Sequence, residues 1–159
     1  MKQDQKPVFI VDTREKPGFE YTFPGYQVIR GALKTGDVSC QGVESLFSID
    51  RKEKNDMVNC VTFSRERFCR ELSRADSMLR FWVLIEASIE EIERGEYRIK
   101  VSPAAVLGTL ACWENRYNCR FIFAGNRSTA NRTAERLLVH AWREITKPSS
   151  RTALEVVES

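Results

Sequence analysis

Ile49-Asp50-Arg51-Lys52-Glu53-Lys54-Asn55-Asp56 joins the end of an apolar run beginning at Leu46 to a block of charge. Residues two apart in a strand project from the same face, so Asp50 and Lys52 share one face while Phe47 and Ile49 point into the core. Taken alone, such a run reads as a solvated charged turn. Its surroundings change that reading. Val8-Phe9-Ile10-Val11 is a short β-branched and aromatic strand ending on Asp12, and Gly36-Asp37 forms a turn between the two strands. In sheet-based enzymes functional groups gather at such strand ends.

Tyr26 to Ile29, Leu46 to Lys52, Phe81 to Ile85 and Cys119 to Phe123 read as further strands. A helix is expected to start near Asn55 or Asp56, whose side chains suit an N-cap. Another is expected over Ser64 to Met78, with Phe68, Leu72, Ala75 and Leu79 as its core-facing stripe. Ser102-Pro103 is a strong helix start, continued by Ala104 to about Tyr117. The last helix, Ser128 to Thr146, carries Ala130, Ala134, Leu137, Leu138, Ala141, Trp142 and Ile145 on one face, with His140 off it, and Pro148 stops it. Strands followed by alternating strand and helix predict an α/β fold, a central mixed β-sheet flanked by helices. The length predicts one domain over residues 1–148, with 149–159 a flexible tail.

Composition narrows the function class. A hydrophobic share of 42% beside 30% charged residues is that of a soluble globular protein, which excludes a disordered or membrane-spanning chain. The polar start, Met1 to Lys6, reads as no targeting segment, so a cytoplasmic protein is expected, nuclear if eukaryotic. Five cysteines without a Cys-x-x-Cys pair, and His140 as the only histidine, argue against a zinc site and a disulfide framework. Reduced thiols packed as small apolar residues are the simpler reading. A Cys/His nucleophile pair would have to recruit His140 from the last helix. The net charge of +3 is weak support for a nucleic-acid partner, whereas the local run of cations says more. Lys54, Arg65 and Arg67, close to the charged segment in sequence, are the candidate DNA-binding cations.

Phosphodiester hydrolysis needs a divalent ion held by carboxylates, to polarise the phosphoryl oxygen and acidify a water. Magnesium takes hard oxygen ligands and keeps several waters, so one or two carboxylates suffice. Asp50 offers such a ligand, Asp37 a second one, and Lys52 a cation that can orient the water or neutralise charge in the transition state.

Val11-Asp12-Thr13-Arg14-Glu15, Gly36-Asp37, Ile49 to Asp56 and Leu84-Ile85-Glu86 together resemble, in order, the motifs of the XPF/Hef nuclease domain, a branch of the PD-(D/E)XK superfamily. That resemblance implies a restriction-endonuclease-like fold and a Mg2+- or Mn2+-dependent endonuclease acting on structured DNA (branched, flap or junction) in repair and recombination. It implies that Asp37 and Asp50 bind the metal with the main-chain carbonyl of Arg51, and that Lys52 is the catalytic lysine. Asp12 and Asp56 match further acidic positions of the cleft, and Arg14, Glu15 and Glu86 match supporting positions. The family's metal-binding glutamate stands here as Asp50, one methylene shorter. The resemblance also implies dimerisation through late helices, for which the Trp142 helix and the helix with Leu107, Leu110 and Trp113 carry apolar surface, so a homodimer is expected. A separate DNA-binding partner is the alternative, since the Gly-rich hairpins of the tandem helix-hairpin-helix module common in the family are missing from the sequence. A non-catalytic nucleic-acid-binding or scaffold module of the same fold, and an RNA-directed nuclease, are the rival readings.

Overall fold

The computed structural model describes residues 5–147 and contains eleven elements of secondary structure. Six strands form one sheet: β1 (Phe9–Asp12), β2 (Val28–Gly31), β3 (Val38–Cys40), β4 (Phe47–Lys52), β5 (Arg80–Ile85) and β6 (Arg120–Phe123). The helices are α1 (Lys54–Val61), α2 (Arg65–Ala75), α3 (Ile89–Glu93), α4 (Pro103–Arg116) and α5 (Arg127–Thr146). The strand order is β2-β1-β3-β4-β5-β6. β1 pairs in parallel with β2, and β4 with β5 and β5 with β6, while β3 is antiparallel to both its neighbours. The predicted mixed α/β sheet is therefore observed, and Pro148 with the segment 149–159 lies outside the described residues.

Alternation along the central strands builds two cores, one on each face of the sheet. Phe81, Val83 and Ile85 of β5 join Met57 and Val58 of α1, Phe68 and Leu72 of α2, and Val106 and Trp113 of α4. Trp82 and Leu84 point the other way, joining Phe9, Phe47 and Ile49 beneath Ala130, Ala134 and Leu138 of α5. Phe47 and Ile49 thus occupy one core as expected, and the opposite face of β4, bearing Ser48, Asp50 and Lys52, is turned towards α1 and α2.

The capping chemistry explains several boundaries. Ser102 Oγ accepts from Ala105 N and Asn126 Oδ1 from Thr129 N, closing the starts of α4 and α5. Asn55 caps nothing: α1 starts one residue earlier, and the Asn55 side chain accepts from Arg98 N instead. α2 ends at Ala75, earlier than the expected Met78, so Leu79 leaves the stripe and stands 53% exposed while its N–H bonds Leu46 O. The helical spacing of apolar residues simply continued through a turn. β2 runs Val28–Gly31 rather than from Tyr26, whose N–H closes a turn onto Phe23 O. Two short elements escaped the hydrophobic pattern, β3 and α3. The latter is held by a full capping box between Ser88 and Glu91.

Because β3 alone runs against the others, its amino end lies beside the carboxyl ends of β1, β4 and β5. Gly36 makes that entry. Its φ is +86°, and a Cβ there would lie 2.4 Å from Ser48 Oγ and 3.1 Å from Ile49 O. Gly36→Ala is expected to destabilise the fold by about 2 kcal/mol or more, read as a lowered urea midpoint with an unchanged slope. An unchanged midpoint would show that the turn relaxes freely.

Candidate active site

Asp12, Asp37, Asp50 and Glu86 all arrive at this one edge, but their environments differ. Asp12 is 1% exposed and its carboxylate is fully engaged. Oδ1 accepts from Arg14 N at 2.8 Å and Arg14 Nε at 2.7 Å, and Oδ2 from Leu33 N at 2.7 Å and Arg14 Nη2 at 3.2 Å. Burial works against ionisation, but these donors hold the Asp12 carboxyl below its ordinary range. Arg14 Nη2 also reaches Leu33 O at 3.1 Å, so the pair ties β1 to the loop after β2.

Arg51 forms the second brace. Its guanidinium reaches Glu15 Oε2 at 3.3 Å and Glu86 Oε1 at 2.9 Å, and it stacks over the Tyr21 ring. Tyr21 in turn donates to Glu86 Oε2 at 3.2 Å. β1, β4 and the end of β5 are thereby locked together by one ion-pair network, and Glu15, Glu86 and Arg51 are spent on it.

Asp37 and Asp50 are left to each other. Asp37 Oδ2 accepts from Arg51 N at 2.8 Å. Burial, and next the neighbouring Asp50 carboxyl, push Asp37 well above the ordinary carboxylate range. Asp50 is 3% exposed; its Oδ2 lies 3.3 Å from Lys52 Nζ but has no hydrogen-bond partner among the described residues. Lys52 sits over the Phe68 ring, and the Asp50 charge, against the effect of burial, raises its pKa. β4 directs its Ile49 carbonyl and its Arg51 N–H at Asp37, so strand geometry sends the Arg51 carbonyl the same way.

Among the described residues no three His, Cys, Asp or Glu side chains converge tightly enough to hold a metal ion. A cation here would rest on two carboxylates, a main-chain carbonyl and water. Two neighbouring carboxylates, the half-buried Asp37 and the buried Asp50 whose Oδ2 takes no hydrogen bond, form a donor set that fits a hard divalent ion. Asp37 opens into a cleft of about 460 Å³ lined also by Lys52, Glu53, Asp56, Arg14, Lys16 and Phe19, among others, with Asp50 beneath it.

No family model matches the sequence, and no curated protein matches it. Solved structures do match. XPF from Aeropyrum pernix superimposes with a TM-score of 0.66 at 20% identity, over 88% of this chain and 67% of that one. XPF from Aeropyrum pernix in complex with DNA gives 0.65 at 22% identity, over 97% of this chain and 74% of that one. The fold is that of XPF. The XPF-like fold is also the one that the ordered motifs implied.

Within this XPF-like frame the predicted residues divide by position. Asp37, Lys52, Asp56, Arg14, Glu15 and Arg51 line the cleft, Asp50 lies beneath it against Lys52, and Asp12 and Glu86 stand behind it. The three predicted DNA-binding cations do not share one environment. Lys54 pairs with Glu91 at 3.5 Å. Arg65 is exposed but lies over the Trp113 ring and donates to Val61 O. Arg67 is exposed beside Arg70 on α2.

Glu71 was not legible as a site residue. It lies on α2 beside the buried stripe residue Leu72, half-buried near Asp50 and Lys52. Burial first, then Asp50, lifts its pKa from 4.5 to about 7, although Lys52, Arg74 and the Gly36 backbone pull it down. Its one signal in the sequence is an acid bordering the apolar face of an amphipathic helix.

The folded protein therefore keeps a proton on Glu71 over an interval in which the unfolded chain has lost it. Stability from this group is full below about 4.5 and is lost as the pH rises through about 7. Glu71→Gln, neutral throughout, is expected to raise Tm relative to the parent at pH 8 and to change it less at pH 4.5, in thermal melts with chelator present. Equal shifts at both pH values would contradict this assignment.

Proposed function

We propose that the cleft hydrolyses phosphodiesters and that the chain is a metal-dependent DNA endonuclease. The observation that carries the reading is the Asp37–Asp50 pair: Asp37 lines an open cleft with Lys52, and the buried Asp50 beneath it has an oxygen that takes no hydrogen bond and lies 3.3 Å from Lys52 Nζ. The DNA bound to the similar XPF structure supports DNA as the substrate.

In this reading Asp37, Asp50 and the Arg51 carbonyl would hold Mg2+ or Mn2+. The bound ion would polarise a phosphoryl oxygen and lower the pKa of a water. Lys52, already held against Asp50, is in place to orient that water or to offset charge developing on the phosphorus oxygens. Asp56 and Glu53, on the cleft wall, can accept protons or position water. Asp12 acts through Arg14 as a positioning residue, because its oxygens already accept four hydrogen bonds. Arg67 is exposed to meet phosphate, whereas Lys54 and Arg65 would first have to leave protein partners. A second copy of the chain could cover the groove of about 390 Å³ that Leu79, Leu137, Ala141 and Ile145 line beside α5.

Single-stranded and branched DNA incubated with magnesium tests the reading. Metal-dependent cutting is expected, with Asp37→Asn and Lys52→Ala each at least about a hundredfold slower. No metal-dependent cutting, or cutting that survives both substitutions, would sink it. DNA binding indifferent to magnesium, with no cutting, would assign the chain to a non-catalytic binding module instead.

A further inference from the structure

We propose that Phe19 is a stacking platform for an unpaired base of the DNA strand held in the cleft, an inference that rests on the nuclease reading above. Phe19 is 53% exposed, although it lies in the same loop as Tyr21 and Phe23, each 3% exposed. The loop therefore has apolar shelter available, and Phe19 remains outside it. Exposed aromatics scattered singly on a surface are ordinary. This one lines the cleft that also contains Asp37 and Lys52.

The ring is held in place rather than loosely tethered. Arg127, the first residue of α5, sets its guanidinium carbon 5.8 Å from the ring centroid and donates through Nη2 to Phe19 O. Phe19 N bonds Lys16 O at 3.0 Å, and Asn131 of α5 grips Thr22 through both its N–H and its carbonyl, at 2.9 and 2.8 Å. From β2, Arg30 Nη2 donates to Glu15 O at 2.5 Å. Two elements, α5 and β2, thus fix the loop from behind, and order paid in advance is what lets a single ring contribute to affinity.

The chemistry of the occupant follows from the surroundings. Lys16 and the largely exposed side chain of Arg14 line the cleft with Phe19, and the half-buried Arg127 backs its ring, so this part of the cleft carries cations suited to a phosphate chain. Arg127 over the ring adds a cation–π contact that helps hold it in place. A base within a duplex has both faces covered by its neighbours and cannot lie on the ring. An unpaired base can, whatever its identity, since every base has a π-face. Phe19 would then set the register of a single strand on the carboxylate pair, and so favour cutting next to an unpaired nucleotide.

The test measures binding in chelator, where no cleavage occurs. Single-stranded, forked and duplex DNA carrying 2-aminopurine at successive positions are titrated with the parent, Phe19→Ala and Phe19→Trp. One unpaired position is expected to lose fluorescence on binding the parent. Phe19→Ala should abolish that quench and weaken single-strand binding about tenfold, with duplex affinity and Tm unchanged, while Phe19→Trp restores both signals. Single-strand affinity unchanged in Phe19→Ala, or single-strand and duplex affinity falling equally, overturns the proposal. If Phe19→Ala binds and cuts like the parent, stacking alone fails. If the parent neither binds DNA nor cuts it with magnesium, the nuclease reading fails as well.

Discussion

Two neighbouring carboxyl groups, Asp37 on the cleft wall and Asp50 buried beneath it, set the terms for this molecule. Asp37 and Asp50 could each be neutral, paired with a cation, or shared by a metal, and the structure surrounds them with partial versions of the first two. Arg51 N donates to Asp37 and Lys52 stands against Asp50, yet one Asp50 oxygen keeps no hydrogen bond. Leaving a buried acceptor unsatisfied costs on the order of 1–3 kcal/mol, and more for a charged group.

The rest of the sheet edge is arranged to hold that pair still. Asp12 and Arg14 fasten β1 to the loop after β2, and Arg51 fastens β4 to Glu15 and to Glu86 at the end of β5. These ion pairs serve as supports that hold the strand ends in register. Reversal of β3 makes the arrangement work, since it delivers Asp37 to the edge where its neighbours deliver their last residues. Acids that look alike in the sequence are thereby sorted into braces and the Asp37–Asp50 pair.

Much of this was legible from the residues alone. β1, β4, β5, α4 and α5 carry strong alternation, helical periodicity or caps, and local physics decided them. Asp50 and Lys52 were legible because strand period places them together, and Asp37 because a glycine with positive φ announces its turn. Tertiary structure decided the remainder. β3 has three residues, with Ser39 buried because its hydroxyl bonds Phe47 O, so no apolar pattern marks it. Glu71 reaches the site from a helix whose partner face cannot be read in advance. Asp12 resembled a reactive acid, for nothing in a sequence reveals that four donors will saturate it. Leu79 continued a helical spacing past the point where the helix had already ended.

The central claim is that Asp37 and Asp50 form a cation site, and crystals soaked in manganese test it without any assumption about substrate. An anomalous peak is predicted within about 2.2 Å of oxygens from Asp37, Asp50 and the Arg51 carbonyl, with waters completing the shell. Its loss in Asp37→Asn would complete the case. Crystals that show no peak at these carboxylates at millimolar manganese, with Lys52 still paired to Asp50, would contradict the account and leave the pair as a structural feature of the fold.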